Sequence, residues 1–173
     1  MSKLSIIQSA TVVEEAEPQE AARGVPYTVS VLGGAPAALN GVSPVITVQM
    51  VDPERDAGRL LRAAEQLLPL NREVPGMVIL DDADDVQGVV PRPELERAVL
   101  RMRRGEYAAL AKGLGLRGDY RPPAGDLAAP FVYWRCPQCG HIYVPATGHE
   151  DDAPGRCRLH DPPVQMEALR FPS

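Results

Sequence analysis

Aromatic side chains are scarce in this chain, at 5% of its 173 residues, with two phenylalanines and one tryptophan. Any core must therefore be filled mostly by Ala, Val and Leu. The hydrophobic fraction of 45% is enough for one ordinary domain, or for a small domain with an appended mini-domain. No run of about 18 apolar residues occurs, so no membrane span is expected. Positive charge is not in excess either: 18 Lys and Arg against 23 Asp and Glu leave a net charge of -5, which argues against a general polyanion binder and makes nucleic acid an unexpected partner. Three cysteines are too few and too odd in number for a disulfide framework. The opening MSKLSIIQSATVVEEAEPQE lacks the long apolar stretch and small-residue cleavage site of a secretory signal, and the expected location is the cytoplasm. A P-loop, a GxGxxG after a strand, a GxSxG elbow and an HExxH motif are all missing. No catalytic residues are assigned, and the chain is expected not to be an enzyme.

What is present is punctuation and periodicity. The 18 prolines and 15 glycines divide the chain into short segments. Residues 1–22 are polar and acidic and read as a flexible tail. VPYTVSVL (25–32) is β-branched and strand-like, and GGAPAALNG (33–41) reads as a turn or loop. VITVQM (45–50) is a strand candidate. Asp52 then suits a helix N-cap, Pro53 the first turn, and Glu54 the positive end of the helix dipole. Ala57, Leu60, Leu61, Ala64, Leu67 and Leu68 recur at helical spacing before Pro69 ends the helix. GMVIL (76–80) is an apolar strand, DDADD (81–85) an acidic turn, VQGVV (86–90) the return strand, and Pro93 opens a second helix carrying Leu95, Ala98, Val99 and Met102 inward. A domain over 23–104 is expected to include the N-terminal strand. GEYAALAKGLGL (105–116) reads as helix, RGDYRPPAGDLAAP (117–130) as a linker, and 131–173 as a separate small unit.

Over residues 44–104 this order, centred on GMVILDDADDVQGVVPRPELERAV (76–99), resembles a single cystathionine-β-synthase-type (CBS) motif. The resemblance implies a β-α-β-β-α unit with a sensory or regulatory role. Motifs of this family generally work in pairs and bind adenine nucleotides or related ligands in their clefts. One copy in the chain implies a homodimer. Where the family places a Ser or Thr and then an Asp that holds a ribose, this sequence has Pro91 and Glu94. Glu94 is the candidate cofactor-binding residue, with one methylene more of reach. Pro91 supplies neither hydroxyl nor amide to a phosphate.

The end of the chain carries a metal-ligand pattern. Cys136 and Cys139 form CPQCG, in which a two-residue gap lets both thiolates reach one ion. Gly140 stands where a left-handed backbone is often needed. Cys157-Arg158-Leu159-His160 repeats that gap with imidazole as the fourth ligand. A Cys₃His set suits structural Zn²⁺, and so short a segment needs a staple to fold. His141 and His149 remain alternatives to His160. The first half, with Tyr133, CPQCGHIY, Pro145 and Gly148, resembles the first knuckle of rubredoxin. The second half departs, since rubredoxin has a second Cys pair. The C-terminal unit as a whole resembles a zinc ribbon. Phe131, Val132, Tyr133 and Trp134 read as the strand that supplies its core rather than as a base-stacking platform.

The expected architecture is α+β: a CBS-like β-α-β-β-α unit with a C-terminal zinc-ribbon mini-domain. The expected function is a non-enzymatic regulatory or adaptor protein whose ribbon docks a protein partner. The alternatives are a nucleic-acid-binding zinc-ribbon protein and a rubredoxin-like electron carrier.

Overall fold

The structure is a computed structural model that describes residues 7–14, 26–103, 131–146 and 155–171. The helix and linker expected over 105–130 lie outside the described residues.

Two strands, β4 (Ile46–Gln49) and β5 (Gly76–Leu80), run parallel. Parallel neighbours need a crossover, and helix α1 (Pro53–Leu67) supplies it. The cap falls where the sequence placed it. The Arg55 N–H donates to Asp52 Oδ1 at 3.4 Å, while Asp56 Oδ2 reaches back to the N–H groups of Val51 and Asp52 at 2.8 and 3.0 Å, so donors left over at the helix start are satisfied from both directions. Pro69 sits in a 3₁₀ turn, Leu68–Leu70, and the α-helix stops just before that turn. Past β5, Asp81 Oδ1 accepts from the N–H groups of Ala83 and Asp85, each at 2.9 Å. That turn sends β6 (Val86–Pro91) back antiparallel to β5 and into α2 (Arg92–Arg103). Strand, helix, strand, strand, helix is the order expected for this stretch.

Both helices cover one face of the sheet. Leu60, Leu61 and Leu67 on α1 and Leu95 on α2 are fully buried against Ile46, Val48, Met77 and Ile79. Burying one such side chain contributes about 1.5–3 kcal/mol. The apolar stripes of both helices are thus used internally: Leu60, Leu61 and Val99 are buried, and Met102 packs against the same cluster.

The segment expected as a separate mini-domain adds strands to this same sheet. Strands β7 (Phe131–Arg135), β8 (Ile142–Val144) and β11 (Glu167–Phe171) extend it to six, in the order β11-β7-β8-β4-β5-β6. β8 lies parallel to β4, pairing Ile46 with Ile142 and Val48 with Val144, so the sheet runs unbroken across the two parts of the chain. Val132, Tyr133 and Trp134 are buried, as a strand of the core requires. Tyr133 faces the helices and Trp134 the opposite side.

That opposite face is covered by two smaller pieces. A hairpin of β2 (Thr28–Leu32) and β3 (Ala35–Leu39) turns at Gly33 and Gly34. A loop hairpin of β9 (Arg156–Cys157) and β10 (Val164–Gln165) lies beside it. Of the turn or loop expected over 33–41, the turn stands at Gly33 and Gly34, and the rest is corrected to strand Ala35–Leu39. Small residues and Pro36 hide the strand in the sequence, and Pro36 is tolerated because it pairs with Val31 at a bulge. The tail expected over 1–22 is corrected in part as well. Thr11–Glu14 forms β1, parallel to β2, and Gln8 exchanges two backbone hydrogen bonds with Val89 of β6 at 2.8 and 2.9 Å. The β-branched Thr11, Val12 and Val13 favour such a strand. No helix among the described residues is long and apolar enough to cross a membrane.

Candidate metal centre

Each pair of candidate ligands sits in its own turn. Cys136 and Cys139 flank the β7–β8 turn, which is closed by the Gly140 N–H donating to Cys136 O at 3.0 Å and the Cys136 N–H donating to His141 O at 2.9 Å. Gly140 has φ +75°, the left-handed conformation glycine adopts at little cost. Cys157 ends β9, and His160 lies in the turn before β10. Because β11 pairs with β7, the chain leaving the second turn returns beside the first, and the two turns face each other.

The ligand atoms of Cys136, Cys139, Cys157 and His160 all lie within 4.8 Å of one another. Cys139 Sγ is 3.8 Å from Cys157 Sγ, and Cys136 Sγ is 3.3 Å from His160 Nε2. The sulfur–sulfur distance is far from the 2.05 Å or so of a disulfide, and the cysteines are free. Zinc–sulfur bonds of about 2.3 Å in a tetrahedron place thiolates about 3.8 Å apart. The four residues could therefore hold one metal ion.

Electrostatics point the same way. Burial raises the Cys136 thiol, but the amides of Cys139 and Gln138, the Cys139 thiol and the His160 ring outweigh it and bring it down to about 7. Burial pushes Cys157 up to about 12, and the neighbouring Cys139 adds to this. Cys139 is raised as well, chiefly by burial. Three crowded thiols, two buried and that of Cys139 half-buried, resist ionising together, and a divalent cation is the agent that lets three thiolates coexist.

Of the alternative fourth ligands, His141 is drawn elsewhere and His149 lies outside the described residues. His141 is buried, and its Nε2 is 3.0 Å from Thr47 Oγ1, which itself donates to Ile142 O at 3.1 Å. Burial lowers the His141 pKa to about 4, so the ring is neutral at pH 7. Its Nδ1 has no partner among the described residues. A buried acceptor left so costs about 1–3 kcal/mol.

Glu94, the candidate ribose contact, is in the first turn of α2 and is hydrogen-bonded to Arg97 Nη2. Pro91 is buried at the end of β6.

The metal loop and the β2–β3 turn meet directly. Gly33 has φ +59°, and a Cβ there would lie 2.8 Å from the Arg158 carbonyl oxygen, between Cys157 and His160. Beneath this contact is a cavity of about 60 Å³ whose lining includes Pro36, Thr47, Asp84, His141 and Arg156. Apart from His141, weighed as a metal ligand, the sequence pointed to none of these residues, because the cavity joins positions more than a hundred apart in the chain. Comparison of the chain with protein-family models, with curated proteins and with solved structures finds no match.

Proposed function

We propose that this chain is a non-enzymatic regulatory or adaptor protein in which a structural Zn²⁺, held by Cys136, Cys139, Cys157 and His160, fixes a surface for a protein partner. The observation that carries the reading is the convergence of those four donor atoms within 4.8 Å. Three thiolates and an imidazole suit zinc better than the hard cations, which prefer oxygen. Four protein donors complete a tetrahedron and leave no position for water or substrate, which separates structural from catalytic zinc. An imidazole in the fourth place counts against a rubredoxin-like iron carrier. Two ligand turns, one between β7 and β8 and one between β9 and β10, suit a zinc ribbon, and free thiols suit the reducing cytoplasm.

In this reading residues 44–104 are a CBS-like sensory or dimerisation unit. The strand-helix-strand-strand-helix order supports it. Units of this type pair, and with one copy per chain the partner is a second chain. Light scattering at micromolar concentration should then give the mass of a dimer. A monodisperse monomer would remove self-pairing from the proposal.

The chain's single tryptophan, Trp134, tests the structural role of the ion. It is buried two residues before Cys136. Chelation should unfold the surrounding strands and move Trp134 fluorescence toward that of a solvated indole. Zinc should restore the signal, while magnesium and calcium should not. Fluorescence that ignores chelation would overturn the structural role.

A further inference from the structure

The three cysteines of the metal centre differ in surroundings and in reach. Cys136 is fully buried, and its Sγ faces His160 Nε2 at 3.3 Å while accepting from the amides of Gln138 and Cys139. Cys157 is buried as well. Cys139 alone is half-buried, in a turn whose Pro137 and Gln138 are exposed. An oxidant arriving from solvent therefore meets Cys139 first.

The sulfur placed to answer it belongs to the other turn. Cys139 Sγ is 3.8 Å from Cys157 Sγ, so closing to the 2.05 Å or so of a disulfide takes about 1.8 Å of movement, shared between two side chains. A Cys136–Cys139 bond would stay inside one turn, and it would pull Cys136 Sγ from the two amides and the imidazole around it. A Cys139–Cys157 bond crosses between turns. It ties the β7–β8 turn to β9, the two pieces that a shared ion would join.

We propose that Cys139 is a site of oxidation by hydroperoxides, with Cys157 as the resolving thiol, and that the resulting disulfide expels the ion while keeping the two turns tied. Bound to a divalent cation, both sulfurs are thiolates, the nucleophilic form. The Cys139 thiolate attacks one oxygen of hydrogen peroxide and the O–O bond breaks. This leaves a sulfenic acid and a hydroxide, which takes up a proton to give water. The Cys157 thiolate then attacks the Cys139 sulfur, the S–O bond breaks, and a second hydroxide is protonated to water. Two electrons pass from the two sulfurs to the peroxide. Cys136 and His160 remain as donors, half of the closed set that holds structural zinc.

The consequence is a molecule with two staples for one junction. Reduced, the turns are joined through the ion; oxidised, they are joined through sulfur, and His160 and Cys136 are released. Disulfides formed in a reducing compartment are usually transient and redox-sensing, and a dithiol resets this one by exchange. The proposal rests on the zinc reading above and adds to it a second state of the partner surface.

The test uses the full chain as purified, with zinc measured before any oxidant is added. A chain without zinc at that point fails the metal centre, whereas cysteine pairing, mapped by peptide mass, is read independently of the ion. Hydrogen peroxide in modest excess should release zinc to a colorimetric chelator in step with the loss of two hydrogens per chain and no gain of oxygen. Peptide masses should show Cys139 joined to Cys157, with Cys136 still open to alkylation. Trp134 fluorescence should stay that of a buried indole, unlike that of the chelated, reduced chain, and dithiothreitol with zinc should restore the starting state. A Cys136–Cys139 pairing, Cys139 halted as sulfinic acid, or three thiols left reduced would overturn the proposal. Trp134 exposed by peroxide as fully as by chelation would overturn it too, since the disulfide would then not replace the ion.

Discussion

Arg92 donates from a single guanidinium to four backbone carbonyls. Nη1 reaches Asn71, Arg72 and Val74 at 2.8, 2.9 and 3.2 Å, and Nη2 reaches Leu68 at 3.0 Å. Its Nε faces Glu96 at 2.7 Å. The carbonyls lie at the end of the first helix and in the turn beyond it, where helix acceptors run out of partners. Leu68 O and Asn71 O also accept from the N–H groups of Asn71 and Val74 at 3.1 and 3.2 Å, so Arg92 matters most to Arg72 O and Val74 O. Asn71 Nδ2 takes one more, Leu67 O, at 2.8 Å. A lysine at position 92 would be a point charge that cannot fan out over this arc. Arg92→Lys should therefore cost about 1–3 kcal/mol through unsatisfied carbonyls, read as a lower midpoint in urea unfolding at unchanged slope. A midpoint equal to that of the parent protein would show that water replaces the guanidinium without loss. In the sequence Arg92 is simply a polar residue between two prolines, and nothing local marks it.

At the scale of elements, the turn between β2 and β3 is pressed against the metal loop. Gly33 and Gly34 both have positive φ, at +59° and +75°, but only a Cβ on Gly33 meets the Arg158 carbonyl, whereas Gly34 faces open space. Each glycine replaced by alanine costs about 1–2 kcal/mol for the left-handed backbone. Gly33→Ala must also displace the Arg158 carbonyl, so it should cost roughly twice as much as Gly34→Ala and lower metal retention, as a mechanism tied to a real backbone clash requires. Thermal unfolding and metal exchange on the two variants check this. Equal losses would mean that the hairpin does not brace the loop. The elements that local pattern specifies were legible beforehand: α1 from its cap at Asp52 and its leucine spacing, β5 from its apolar run, and the turn at 81–85 from its aspartates. β3 was not, because Ala35, Pro36, Ala37 and Ala38 carry no β signal and the strand is held by its partner and its bulge. β1 was masked by the acidic stretch that follows it.

At the scale of the whole molecule, the sheet joins what composition separates. A Pro- and Gly-rich stretch over 117–130 suggested two units, yet β8 pairs with β4 across it. Pairing of parallel strands nearly a hundred residues apart leaves no trace in local periodicity, which is why the sheet was out of reach of the sequence. The four candidate metal ligands, which the structure brings within 4.8 Å of one another, were within reach because each pair is local, and tetrahedral coordination dictates the spacing within each pair. The central claim is that these four residues hold one zinc ion whose binding is folding free energy for the strands around it. The ratio of metal to protein in the purified chain, measured by elemental analysis for the parent, Cys136→Ser and His141→Asn, tests it most directly. One zinc per chain is expected in the parent and in His141→Asn, and none in Cys136→Ser. Iron in place of zinc, or zinc retained by Cys136→Ser and lost from His141→Asn, would contradict the account.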